Sequence, residues 1–214
     1  MHLYDYVLSD DCYKVRLLLA LLGKEATLKR VDVHPGREND TPGFRAEVNP
    51  TGRLPVLEDE GNRFEEIPAV LTYLALRYDP ERKWLPADPA IAGRVARWLS
   101  FSHRDLAPLS ALRMALVSDD TIAADHERDK ALAETALTIL DDHLAEGEIA
   151  DEDWLAGAGP TIADIAAFGT AALAPDAGLA LEDYPALWRW SERIRHLPGF
   201  IVIPGIFPVI PDVA

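Results

Sequence analysis

The sequence predicts an α/β unit followed by an all-helical unit, on three observations. Residues 1–78 alternate short strand-like runs with helical stripes. A proline-rich, charged segment follows, Asp79 to Pro89 (DPERKWLPADP). Beyond it the strand signal largely disappears and apolar residues recur at helical spacing. The chain therefore divides into 1–78, a linker at 79–89, and a helical unit at 90–214 that ends in an apolar tail. With 214 residues in all, each unit is long enough to bury a core.

The elements follow in chain order. His2 to Leu8 (HLYDYVL) alternates and is rich in aromatic residues, the pattern of a strand. Ser9-Asp10-Asp11 is helix-capping chemistry, and Val15, Leu18, Leu19 and Leu22 give an i, i+3, i+4, i+7 stripe that Gly23 is suited to end. Thr27 to Val33 reads as a second strand, and a strand–helix–strand of this size implies parallel pairing. His34 to Thr41 is loop, and Pro42 to Val48 a short helix. After the Asn49-Pro50-Thr51-Gly52 turn, Leu54 to Leu57 reads as a strand. Pro55 lacks an N–H, so it belongs at an edge, at the strand start or in a cis bend. Glu60-Gly61-Asn62 closes a hairpin into a strand ending near Phe64. Ile67, Val70, Leu71 and Leu74 form the next helical stripe, with Pro68 in its first turn. Together these elements imply a mixed sheet.

In the linker, Trp84 and Leu85 are expected to pin the segment to the surface. Ile91, Val95, Trp98 and Leu99 start a long helix reaching Val117, interrupted or kinked by Pro108 and ended by Ser118-Asp119-Asp120. Ala133, Leu137, Leu140 and Leu144 carry a second long helix. A loop anchored by Trp154 leads to Thr161-Ile162-Ala163-Asp164, a capping box with Asp in place of Glu, ahead of an Ala-rich buried helix. Leu187, Trp190, Ile194 and Leu197 mark the last helix, stopped by Pro198-Gly199. The tail from Ile201 (IVIPGIFPVIPDVA) is too broken for a helix and is expected to pack on the body or on another subunit.

Composition narrows the function classes. A net charge of −15 disfavours nucleic acid and anionic membrane as partners, so an anionic ligand requires a local positive site. The single cysteine, Cys12, rules out an intrachain disulfide. The sequence shows no signal-peptide pattern and no apolar run of about 18 residues, and the expected location is the cytoplasm. The six histidines lack metal-binding spacing, so no metal site is expected, and there is no phosphate loop, dinucleotide fingerprint or GxSxG elbow.

The start of the first helix is the best candidate for chemistry. Free N–H groups there stabilise a bound thiolate, or Cys12 as its own thiolate, and a Ser9 hydroxyl can donate to a ligand sulfur. Asp10 and Asp11 oppose a thiolate if they point inward. The plainer reading makes Ser9 or Asp10 an N-cap and Cys12 a small buried hydrophobe. At Glu65-Glu66, acidic residues simply favour a helix N-terminus, or one carboxylate holds an ammonium while backbone N–H groups hold a carboxylate, recognising a zwitterion. Arg53, Arg16, Lys14 and Arg37 can add positive charge. Trp98, Phe101, His103, Arg104 and Met114 either line an apolar pocket between the units or pack the core.

With these residues laid out, the chain resembles the glutathione transferase superfamily over nearly its whole length. The first unit resembles that family's thioredoxin-like domain and the rest its all-helical domain. The motifs are Leu3-Tyr4 leading to Ser9-Asp-Asp-Cys12-Tyr-Lys-Val-Arg16, Asn49-Pro-Thr-Gly-Arg-Leu-Pro55-Val-Leu, Glu66 to Leu74, and Thr161-Ile-Ala-Asp164. The resemblance implies a cis Pro55, with the Leu54 backbone pairing with the cysteinyl part of glutathione. It implies that Ser9 matches the catalytic serine of the serine-type classes and Cys12 the cysteine of the cysteine-type classes. It implies a glutathione site at Arg53, Leu54, Pro55, Glu66 and Ile67, a structural role for Thr161 and Asp164, and a cytosolic homodimer acting on a small apolar electrophile. Position 67 departs from the family's Glu-Ser pattern: Ile67 keeps the N–H and lacks the hydroxyl. Losing one hydrogen bond to a charged group costs about 1.5–3 kcal/mol. Two function classes follow: a glutathione-dependent transferase, or a non-catalytic binding or scaffold protein that keeps the fold without the cosubstrate.

Overall fold

The computed structural model describes residues 1–117 and 126–204. The expected break at Ser118-Asp119-Asp120 and the tail from 205 onward lie outside the described residues. The thioredoxin-like domain runs β1 (His2–Asp5), α1 (Asp10–Leu21), β2 (Thr27–Arg30), α2 (Pro42–Glu47), β3 (Val56–Asp59), β4 (Asn62–Glu65) and α3 (Ile67–Tyr78). The four strands form one mixed sheet in the order β2-β1-β3-β4. β1 and β2 are parallel, with Leu3 opposite Leu28; β1 with β3 and β3 with β4 are antiparallel.

Two strands are shorter than the sequence suggests, and a third is shifted by two residues. β1 stops at Asp5 because the chain turns at once, Ser9 N–H donating to the Tyr6 carbonyl at 3.1 Å. β2 stops at Arg30, three residues early, as the chain turns toward a cis His34–Pro35 bond. β3 begins at Val56 because Leu54–Pro55 is a cis bend that leaves Leu54 outside the paired register.

The helical domain runs α4 (Pro89–Arg104), α5 (Ala107–Val117), α6 (His126–Ile149), α7 (Ile162–Ala171) and α8 (Pro185–Arg195). The long helix expected through Val117 is two helices. The break falls at Asp105-Leu106, and Pro108 occupies the first turn of α5, where its missing N–H costs nothing. Every residue of α7 is buried. Its start is the expected capping box: Thr161 Oγ1 accepts from Ala163 N–H at 3.2 Å, and Asp164 accepts from Thr161 N–H at 2.8 Å. The other oxygen of Asp164 takes Leu155 N–H and the Trp190 indole N–H, both at 3.0 Å. Asp164 is therefore structural.

Between the domains, Trp84 is buried, accepts from Ile162 N–H at 2.9 Å and donates its own N–H to Asp79 at 2.6 Å. At the other end, Tyr13 donates to the Ile201 carbonyl at 2.8 Å and Ile203 is buried, so the start of the tail packs on the body. Apolar packing is continuous from Leu3 and Leu57 in the sheet through Leu18 and Leu71 to Trp98, Phe168 and Trp190. No helix among the described residues is long and apolar enough to cross a membrane.

Candidate active site

A cavity of about 510 Å³ lies between the two domains. Its first wall is built from the loops that end β1, precede β3 and precede α3, which bring Ser9, Arg53, Leu54, Pro55, Glu66 and Ile67 together. Its second wall comes from the helical domain, with Ser102 and His103 on α4, Ser110 and Met114 on α5, and Thr170 on α7.

Ser9 is the N-cap of α1. Its Oγ accepts from Cys12 N–H at 3.1 Å, which leaves the hydroxyl proton to be donated elsewhere. The loop carrying Ser9 is held from the helical domain by Arg113, a buried cation on α5. Arg113 donates to the Leu8 carbonyl at 2.6 Å, to Asp176 at 3.1 Å and to the Pro204 carbonyl at 3.4 Å.

Cys12 is not brought to this cavity. It is 0 % exposed, faces the sheet and accepts from Tyr6 N–H at 3.4 Å. Burial and the nearby Asp5 charge push its thiol up to about 12, against the Tyr6 and Ser9 hydrogen bonds and Arg16, which favour the thiolate. The geometry matches the plainer sequence reading of a small buried hydrophobe.

Glu66 adopts φ +64°, a conformation that costs a non-glycine residue energy and here turns the chain into α3. Its carboxylate lies 3.5 Å from Arg53 and, across the cleft, 3.6 Å from His103 Nε2. Ile67 is the first residue of α3, so its N–H belongs to the turn that has no acceptor within the helix. Its side chain is 4 % exposed and joins Val70, Leu71 and Leu74 in the core, completing the stripe seen in the sequence.

Asp10 and Lys14 form a buried charged group where α1 meets the helical domain. Asp10 accepts from Ser110 at 2.8 Å and from Thr170 at 2.5 Å, and lies 3.7 Å from Lys14. Burial works against the Asp10 carboxylate, yet Lys14 and the two hydroxyls hold it below its ordinary value. Lys14 also pairs with Asp11 at 2.6 Å, and despite burial its pKa is raised by the two carboxylates. Burial raises the Asp11 carboxyl, opposed first by Lys14.

Of the other cationic candidates, Arg16 is taken by Asp5, and Arg37 pairs with Asp40 on the surface. Trp98 and Phe101 are core, Arg104 pairs with Asp105 outside the cavity, and His103 and Met114 do line it. Sequence reasoning missed Ser102, Ser110 and Thr170. The first two recur with Leu106 and Met114 at steps of four residues, a signal obscured by the break between α4 and α5. Nothing in the sequence marks Thr170.

Residues 1–76 match the family described as Glutathione S-transferase, N-terminal domain, and residues 100–198 match Glutathione S-transferase, C-terminal domain. The chain is 30 % identical over 203 residues to maleylacetoacetate isomerase of Pseudomonas aeruginosa, covering 94 % of this chain and 93 % of that protein. It is 29 % identical over 209 residues to rat glutathione S-transferase theta-1, covering 93 % and 84 % of the two chains. The crystal structure of a possible glutathione S-transferase from Rhodopseudomonas palustris superposes with a TM-score of 0.84 at 30 % identity, covering 99 % of this chain and 93 % of that one.

Proposed function

The chain belongs to the glutathione transferase superfamily, and on that premise we propose that it binds glutathione in the interdomain cavity and activates the thiol for attack on a small electrophile. The observation that carries this reading is that Ser9, the cis Leu54–Pro55 bend, Glu66 and Ile67 share one cavity wall. In it, the Leu54 backbone, outside the strand ladder, pairs with the cysteinyl part of the peptide. The Glu66 carboxylate holds the γ-glutamyl ammonium. The Ile67 N–H, at the positive end of α3, holds the adjoining carboxylate, with Arg53 adding charge at the exposed side. The Ser9 hydroxyl donates to the sulfur and lowers the thiol pKa. Cys12, buried behind the helix, takes no part.

A second reading, a binding or scaffold protein without the cosubstrate, is favoured by Ile67, which puts a buried aliphatic side chain where the family's motif has a hydroxyl. Calorimetric titration with glutathione decides between them. The transferase reading expects heat and a thermal shift at millimolar glutathione, and an affinity roughly ten- to hundredfold higher in Ile67→Ser, which restores one hydrogen bond to a charged group. A wild-type protein that gives neither heat nor shift overturns the transferase reading. Binding that then emerges in Ile67→Ser identifies position 67 as the reason.

A further inference from the structure

We propose that the Tyr6 hydroxyl is a second hydrogen-bond donor of this site, placed to hold an uncharged oxygen of the electrophile, so that the cavity favours a carbonyl-activated carbon over an alkyl halide. This rests on the reading above and adds the residue that selects the second substrate.

The first observation is a phenol that opens on the cavity without a partner. Tyr6 lines the cavity and is 8 % exposed, and its hydroxyl makes no hydrogen bond among the described residues. Other tyrosines are satisfied: Tyr13 donates to the Ile201 carbonyl, Tyr73 and Tyr78 donate to Asp59, and Tyr4 accepts from Lys29. The Ser102 hydroxyl also lacks a partner, but it is sealed from solvent, whereas the Tyr6 hydroxyl is not among the sealed polar atoms. A largely buried phenol left open in this way has its donor available to a bound molecule. Ser9 N–H bonds to the Tyr6 carbonyl at 3.1 Å, so both hydroxyls stand on one turn of the chain, Ser9 for the sulfur and Tyr6 for its reaction partner.

The second observation is the charge around that phenol. Burial and the Asp32 carboxylate push Tyr6 above its ordinary value, against Arg113, so it keeps its proton at neutral pH and acts as a donor. The cations nearby are already engaged. Arg113 bonds to the Leu8 carbonyl, Asp176 and the Pro204 carbonyl, Lys14 lies between Asp10 and Asp11, and Arg53 stands beside Glu66 where the peptide is held. With Asp32 also near, an anionic acceptor is disfavoured at Tyr6 and a neutral oxygen fits. Val33, Ala107, Ala111 and Met114 supply apolar surface for the carbon skeleton that carries it.

For an α,β-unsaturated ketone, sulfur bonds to the β carbon, the C=C pair moves between the α carbon and the carbonyl carbon, and the carbonyl π pair moves onto oxygen. The Tyr6 O–H donates to that developing enolate oxygen. Water then delivers a proton to the α carbon, replacing the one the thiol gave up. The test compares kcat/KM of the full chain for benzylideneacetone, which has the oxygen, and for benzyl chloride, which has none. In Tyr6→Phe the ratio of the two, enone over halide, is expected to fall about tenfold or more, the scale of one lost hydrogen bond to a charged oxygen. A purely structural role, or a role on the sulfur, lowers both rates together and leaves the ratio in place, so a smaller fall overturns the assignment. Wild-type turnover of benzyl chloride without turnover of the enone overturns it as well and leaves the proposed function standing. Turnover of neither substrate overturns the proposed function and this assignment with it. Should Tyr6→Phe fail to fold, calorimetry on the wild-type protein decides: the glutathione conjugate of benzylideneacetone is expected to bind about fivefold tighter than the same conjugate with its carbonyl replaced by methylene, and equal or weaker binding overturns the assignment.

Discussion

Ser9 and Cys12 sit within one turn of each other and the fold sends them to different environments. Ser9 ends a loop at the cavity, while Cys12 points back under the helix against the sheet. Their spacing in sequence carried both assignments equally, because a cap and a nucleophile use the same positive helix end. Burial separates them: Cys12 is closed off from the cavity and burial opposes its ionisation, whereas Ser9 lines the cavity. In the native protein Cys12 is expected to resist a disulfide reagent until the chain unfolds. Cys12→Ala should change thiol-conjugation kcat/KM by less than about threefold, whereas Ser9→Ala should lower it by about ten- to hundredfold for one lost hydrogen bond to a charged sulfur. Rapid native labelling of Cys12, or loss of activity in Cys12→Ala with Ser9→Ala unaffected, would reverse the assignment. Glu66 and Ile67 show a different limit. The stripe from Ile67 to Leu74 was legible as periodicity, but the φ of +64° that turns Glu66 into the cavity was not, because no glycine marks the position.

At the scale of elements, α1 shows what a stripe can and cannot say. Val15, Leu18 and Leu19 are buried as their spacing predicts, and so are Tyr13, Lys14 and Leu17, because α7 covers a second side of the helix. An amphipathic pattern reports one apolar face. It does not report that a neighbour from the other domain will bury a charged residue on another. The fit at that crossing is tight: a Cβ at Gly169 would lie 2.4 Å from Lys14 Cγ, so α7 needs glycine there. The Asp10–Lys14 pair closes this contact, and its pH dependence has a definite sign. Asp10 is held below its ordinary pKa, so its contribution is present above the unfolded carboxyl value of about 3.9 and is lost as pH falls through its folded value. Lys14 is held above its ordinary pKa, so its contribution is full below about 10.4 and is lost as pH rises through its folded value. Urea denaturation should show Asp10→Asn less stable than wild type by roughly 3 kcal/mol at pH 7, the scale of breaking a buried ion pair. The gap should narrow as the pH falls below the unfolded carboxyl value of about 3.9 and through the folded value of Asp10. A gap of the same size at both ends of that range would remove the Asp10 carboxylate from the contact.

At the scale of the whole molecule, the net charge of −15 and the family's anionic peptide ligand are compatible only through local positive groups. The cavity offers the start of α3 and the exposed Arg53 beside Glu66. The domains are joined by more than the linker. Arg113, Asp10 and Trp84 each bond across the junction, so the two cavity walls are fixed relative to each other. On family membership we propose that two copies associate. Light scattering is expected to give a mass near twice the 23.6 kDa of the chain, and a value near the single-chain mass would refute the dimer.

Sequence by itself determined the succession of elements, the mixed sheet, the split into two domains, the Thr161–Asp164 capping box and the family motifs. These rest on hydrophobic period, turn chemistry and capping, which act over a few residues and leave their mark in order along the chain. Only the tertiary structure decided that Cys12 is sealed and Ser9 is presented, and that Asp10 is matched by Ser110 and Thr170. Those outcomes depend on which faces of α1, α4, α5 and α7 meet. That is set by close packing between residues as far apart in sequence as Asp10 and Thr170, and no local pattern encodes it.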